Sequence, residues 1–115
     1  MAIYETVFIL RQDLTVQQVD ELSKNFKKII TDGNGKLLKE ENWGLRTLAY
    51  KIKKNKKGHY VLFETEAPAT AIAEFERKMG INENVLRFMT VKLAKPSEGP
   101  SAIPGSYPHL RANET

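Results

Sequence analysis

Residues 43–58 read Trp43-Gly-Leu-Arg-Thr-Leu-Ala-Tyr50-Lys-Ile-Lys-Lys-Asn-Lys-Lys-Gly58. A patterned segment (Trp43, Leu48, Tyr50, Ile52) runs straight into five lysines within seven residues: Lys51, Lys53, Lys54, Lys56 and Lys57. Gly58 then opens a second apolar run, His59-Tyr-Val-Leu-Phe-Glu-Thr-Glu66. The pattern is a strand, a cationic hairpin tip and a return strand. Such a tip holds positive charge away from the body, where a phosphate backbone can reach it. The alternative reading is a solvated surface hairpin.

The flanking segments fix the fold class. Residues 3–10 carry apolar side chains on both alternating faces, as a central strand does. Tyr4, Thr6, Phe8 and Leu10 would share one face and Ile3, Glu5, Val7 and Ile9 the other. Thr15 and Gln18 fit a helix capping box. Val19, Leu22, Phe26 and Ile29/Ile30 follow at helical spacing, and Asp32-Gly-Asn-Gly35 stops the helix. Residues 36–52 read as a long strand in which Gly44 marks a bulge. Pro68 opens a second helix with Ile72, Phe75 and Met79 on its apolar stripe, and Gly80 ends it. Residues 85–93 form the last strand, with Leu86, Phe88 and Thr90 opposite Val85, Arg87, Met89 and Val91.

The order is β-α-β-β-α-β. Right-handed crossovers then place two helices on one face of a four-stranded antiparallel sheet whose first and third strands are central, an α+β, ferredoxin-like architecture. The other face stays uncovered yet carries apolar residues, and such a patch marks a partner.

Composition narrows the function. The 115 residues hold 18 Lys+Arg against 14 Asp+Glu and no cysteine. Lack of cysteine excludes a disulfide framework, thiol catalysis and thiolate metal sites, and it suits a reducing cytoplasm. No apolar run approaches the roughly 18 residues that span a bilayer. The N-terminus reaches Glu5 without a basic leader, so it reads as a strand rather than a signal peptide. Residues 1–95 hold 17 basic and 12 acidic side chains, so the basic excess belongs to the expected folded domain. Residues 96–115 carry four prolines and two glycines and read as an extended or disordered C-terminal tail, with Ile103, Tyr107 and Leu110 as possible anchors.

No catalytic constellation is present. His59 and His109 have no second ligand at metal spacing. Glu40 and Glu41 are adjacent, so on a strand they point to opposite faces. Asp32-Gly-Asn-Gly35 follows a helix, whereas a dinucleotide loop follows a strand. Arg11-Gln-Asp-Leu-Thr15 lacks the glycines of an anion-cradling loop. Cofactors, metals, membranes and small-molecule substrates are therefore not expected, and the chain reads as a non-enzyme. Lys57–Phe63 resembles the third-strand signature of an RNA-recognition motif, but His59 takes an aromatic position, Tyr60 the small one and Val61 another aromatic one. The aliphatic Ile3, Val7 and Ile9 cannot stack bases well; they suit protein packing, with RNA contact left to basic edges and loops.

Several strings together resemble the bacterial small-subunit ribosomal protein six family. They are Tyr4-Glu5, Glu41-Asn-Trp-Gly44 with Arg46, Leu48-Ala-Tyr50 and Ile52, then Gly58-His-Tyr-Val61, Glu66-Ala-Pro68, and Asn84-Val85 with Arg87 and Met89. The resemblance covers about residues 4–92. It implies a ferredoxin-like ribosomal component that binds the central domain (platform) of 16S rRNA cooperatively with the eighteenth small-subunit protein. It also implies that Arg46, Tyr50, Arg87 and Lys92 lie on or near the joint protein–RNA surface. To these the residue reading adds Lys51, Lys53, Lys54, Lys56 and Lys57 as phosphate contacts, and Ile3, Val7, Ile9, Met89 and Val91 beside Tyr50 as a protein interface. Two departures stand out. Ala2 replaces a basic residue common in the family, and Lys51 stands where many members have proline.

Overall fold

The computed structural model describes residues 2–94. Its elements run β1 (Ala2–Arg11), α1 (Val16–Asp32), β2 (Lys36–Ile52), β3 (Asn55–Ala67), α2 (Ala69–Ile81) and β4 (Val85–Leu93). The expected tail at 96–115 lies outside the described residues. All strand pairs are antiparallel, in the order β2-β3-β1-β4, so β1 and β3 are central as the pattern predicts.

Local chemistry sets the element ends. The Thr15 hydroxyl accepts from the Gln18 backbone N–H at 3.1 Å, and the Gln18 side chain accepts from the Thr15 N–H at 2.8 Å, completing the capping box. Thr15→Ala is expected to cost about 1 kcal/mol, read as a lower urea midpoint at unchanged slope. At the far end of α1, Asn34 rather than a glycine takes the left-handed conformation, at φ 70°. α2 runs one residue beyond the expected stop at Gly80, to Ile81.

One face of the sheet carries both helices. There Phe8, Leu10, Val61, Phe63 and Val85 meet Val19, Phe26 and Ile30 of α1 and Ala71, Ile72, Phe75 and Met79 of α2. Phe8 is fully buried and meets three rings edge-on: Phe26 at 5.5 Å, Phe63 at 5.0 Å and Phe75 at 6.3 Å. Edge-to-face geometry sets the positive rim of one ring against the negative face of the next.

The opposite face holds a second apolar cluster, built from strand residues alone among those described: Val7, Ile9, Leu48, Ile52, Tyr60, Leu62 and Leu86, with Trp43 and Met89 packed against it. Leu86 corrects the expected alternation of the last strand. The β1–β4 register slips between Ile9 and Leu10, which pair with Arg87 and Val85. Leu86 is the extra residue; it joins the helix-free cluster while Val85 turns into the main core.

Candidate nucleic-acid interface

Cross-strand pairs share a face, so the register maps the helix-free side row by row. Lys36, Glu66, Ile3 and Leu93 form one row; Lys39, Glu64, Glu5 and Val91 the next; Glu41, Leu62, Val7 and Met89 the third. Gly44, Tyr60, Ile9 and Arg87 follow, then Arg46, Gly58 and Arg11. Glu66, Glu64 and Glu5 thus lie at one end beside Lys36 and Lys39, with Lys36 paired to Glu66 at 3.3 Å; mostly apolar side chains and Glu41 lie in the middle, and three arginines at the other end. The β2–β3 hairpin continues from the arginine end, because β1 stops at Arg11 opposite Gly58. Charge on this side is graded, and the cationic end is the one that projects.

Close approach at Gly58 builds that end. A Cβ there would stand 2.4 Å from Ile9 Cγ2 and 3.2 Å from the Leu10 carbonyl oxygen, so glycine lets β1 close over this point. Gly44 has φ 77° and sits at a register shift, the bulge the sequence predicts. Beside it the Trp43 ring stacks on Tyr60 at 6.3 Å, and its Nε1–H donates to Glu41 at 2.8 Å. Arg46 is exposed, and its Nε–H donates to the Trp43 carbonyl at 3.0 Å, which orients the guanidinium from the bulge.

The hairpin differs from the expected five-lysine tip. β3 begins at Asn55, four residues before the expected start at His59, and Ile52 pairs with Asn55. The turn is therefore Lys53-Lys54 alone, both left-handed at φ 48° and 69°, as a type I′ hairpin turn requires. Lysine pays about 1–2 kcal/mol for that conformation. Lys51 is exposed at the end of β2, and Lys56 and Lys57 are exposed on β3. Between Thr47 and Ile52 the β2 register shifts again, leaving Tyr50 half exposed while Leu48 turns into the apolar cluster.

Arg87 and Lys53 line one cleft together with Gly80, Leu86 and Phe88, although Arg87 lies on the edge strand β4 and Lys53 in the turn that follows the opposite edge strand, β2. Arg87 Nε is buried and lacks a hydrogen-bond partner among the described residues. A buried donor left unpaired costs about 1–3 kcal/mol, so an acceptor arriving there is favoured.

The remaining site residues separate into three groups. Met89 is partly buried and Val91 is 39% exposed, both on the helix-free side. Val7 and Ile9, expected as an open floor, are 2% and 0% exposed within the second cluster; they support the surface from beneath instead of forming it. Ile3, nearer the acidic end, is partly buried. Lys92 pairs with Tyr4, a side chain packed on the main core, so it points to the helix-bearing face and away from Arg46 and Arg87. Ala2 pairs with Ala67 at the end of the sheet far from the hairpin.

Sequence reasoning missed Asn55 and Gln12. Asn55 is 4% exposed; its Oδ1 accepts from the Gln12 N–H at 3.1 Å, and its Nδ2 donates to the Ile52 and Lys53 carbonyls at 3.3 and 3.0 Å. The two-residue gap between Ile52 and Asn55 was the available signal. His59 makes its hydrogen bond to the β1–α1 loop: Nε2–H donates to the Leu14 carbonyl at 3.0 Å. Among the described residues no group of three or more His, Cys, Asp or Glu could hold a metal ion, and no helix is long and apolar enough to cross a membrane.

Comparison with known proteins gives the family. The small ribosomal subunit protein bS6 of Rhizobium meliloti is 55% identical over 103 residues, spanning 90% of this chain and 69% of that protein. Its counterpart from Bartonella bacilliformis is 54% identical over 103 residues, 90% and 76% of the two chains. The crystal structure of 30S ribosomal protein S6 from Thermotoga maritima superposes with a TM-score of 0.76 at 29% identity, covering 80% of this chain and 87% of that one. These relatives are named as ribosomal components and not as enzymes, in line with the expectation of a non-enzyme. The family model described as ribosomal protein S6 matches residues 3–92, and with relatives this similar over most of its length the chain belongs to the ribosomal protein S6 family.

Proposed function

We propose that the chain is a structural component of the bacterial small ribosomal subunit that holds the central domain of 16S rRNA jointly with the eighteenth small-subunit protein. The carrying observation is the graded helix-free side, with Arg87, Arg46 and the lysine hairpin at one end and Glu5, Glu64 and Glu66 at the other. A phosphate backbone is attracted to the first end, while at the second the glutamates outnumber Lys36 and Lys39 and offer it no net attraction, so RNA is held in one orientation. Trp43, Met89 and Val91 between them offer the apolar area on which a partner protein packs. Each protein alone meets few phosphates. Joined, their contacts add without a second full loss of translational freedom. Phosphate and shape contacts dominate, because this side has few exposed aromatics for base stacking.

Filter binding to a central-domain 16S rRNA fragment, with and without the partner protein, tests this. Replacing Arg46 and Arg87 with alanine should flatten the plot of log affinity against log salt by about two units, one for each lost phosphate contact. An unchanged slope and affinity would remove both arginines from the interface. Binding that ignores the partner would remove the cooperative part.

A further inference from the structure

The two-lysine turn is a poor sequence for its own geometry. Type I′ turns draw on Asn-Gly or Asp-Gly because both central residues are left-handed, and lysine gains nothing local from that conformation. The hairpin is held by other means. Asn55 Nδ2 closes the turn on the Ile52 and Lys53 carbonyls, while its Oδ1 takes the Gln12 N–H. Gln12 returns the contact, its Oε1 accepting from the Lys57 N–H at 3.2 Å. This exchange ties the base of the hairpin to the β1–α1 loop 43 residues away in sequence. Asn55 is buried, so water competes weakly for its bonds. Held this way, the turn sets Lys53 on the same cleft as Arg87.

We propose that Asn55 is a positioning residue for RNA capture. It fixes the Lys53-Lys54 turn before RNA arrives, so that Lys53 and Arg87 present one two-cation seat for a backbone phosphate. This rests on the RNA-binding function proposed above. Without the carboxamide the turn relaxes, and the ordering of two lysines must be repaid on binding, which weakens it. Asn55 touches no RNA itself; it acts through the lysines.

Amide hydrogen exchange on the full chain, combined with titration of the central-domain 16S fragment, tests the proposal. Asn55→Ala should speed exchange at the Gln12 and Lys57 amides by about tenfold or more, the worth of one lost hydrogen bond. The Val61, Leu62 and Phe63 amides should keep their protection. RNA affinity should fall in the wild-type background and not fall further when Lys53 and Lys54 are already alanine, since coupled residues are non-additive. Gln12→Ala is the milder variant, because Gln12 is exposed and its backbone bond to Asn55 survives; it should release the Lys57 amide alone. Protected amides in Asn55→Ala, or an RNA loss of equal size with and without the lysines, would overturn the positioning role while leaving RNA binding standing. Faster exchange combined with an Lys53→Ala/Lys54→Ala variant that binds RNA as well as wild type would instead show that the tip does not serve RNA, and the proposal would fall with that reading.

Discussion

Replacing Phe8 with alanine is expected to destabilise the fold by about 3–5 kcal/mol, the usual cost of deleting a fully buried aromatic side chain. Phe8 is the hub of the ring cluster: its edge-on partners Phe26, Phe63 and Phe75 come from α1, β3 and α2. Removing it strips contacts from three elements at once, and none can move in without losing its own strand or helix register. Domains of this size hold roughly 5–15 kcal/mol in total, so the variant should sit near the edge of folding. Its melting temperature should fall by roughly 15 °C or more, at about 4–8 °C per kcal/mol. Circular dichroism against temperature and urea gives both numbers. A loss smaller than the capping change at Thr15 would mean that the two helices are held by something other than this cluster.

Changing Lys51, Lys53, Lys54, Lys56 and Lys57 together to serine should leave folding nearly intact and weaken RNA binding severely. All five side chains are exposed, and the buried anchors Ile52 and Asn55 remain. If each lysine meets a phosphate, the salt dependence should lose about 0.7 to 0.9 units per contact, or roughly four in all. Lys92→Ala is the matched control. It removes one positive charge from the helix-bearing face, to be compared with the loss per hairpin lysine, and should leave the slope unchanged. Equal slopes for wild type and the five-serine chain would assign the hairpin to solvent or to another component, and equal effects of Lys92 and the hairpin lysines would remove the orientation that the charge grading implies.

The sequence carried most of the architecture and part of the surface. Period-two and helical patterns gave the element order. The spans of β2 and β4 agree with the structure, as do the Gly44 bulge and the Thr15–Gln18 cap, because each depends on residues near one another in the chain. What escaped was set across the fold. Lys56 and Lys57 read as loop because their charge hid a strand that Asn55 begins. The slip that turns Leu86 inward depends on β1 pairing and leaves no mark in the alternation of residues 85–93. Val7 and Ile9 were placed on the correct face, yet their burial comes from Leu48, Tyr60, Leu62 and Leu86 packing around them. Lys92 was grouped with Arg87 by resemblance, whereas five steps along a strand reverse the face. The Asn55–Gln12 exchange joins two polar residues that no local pattern connects.

The 17-residue β2 ends the sheet, and a strand so long at a border would normally invite a second copy to extend the ladder. Its three register breaks, at Leu37–Lys39, at Asn42–Gly44 and at Thr47–Ile52, interrupt that border, and Lys51 crowns its end with charge. Short, broken stretches of strand are poor templates for a second copy. The chain thus carries on its own outer strand a guard against edge-to-edge pairing with a second copy.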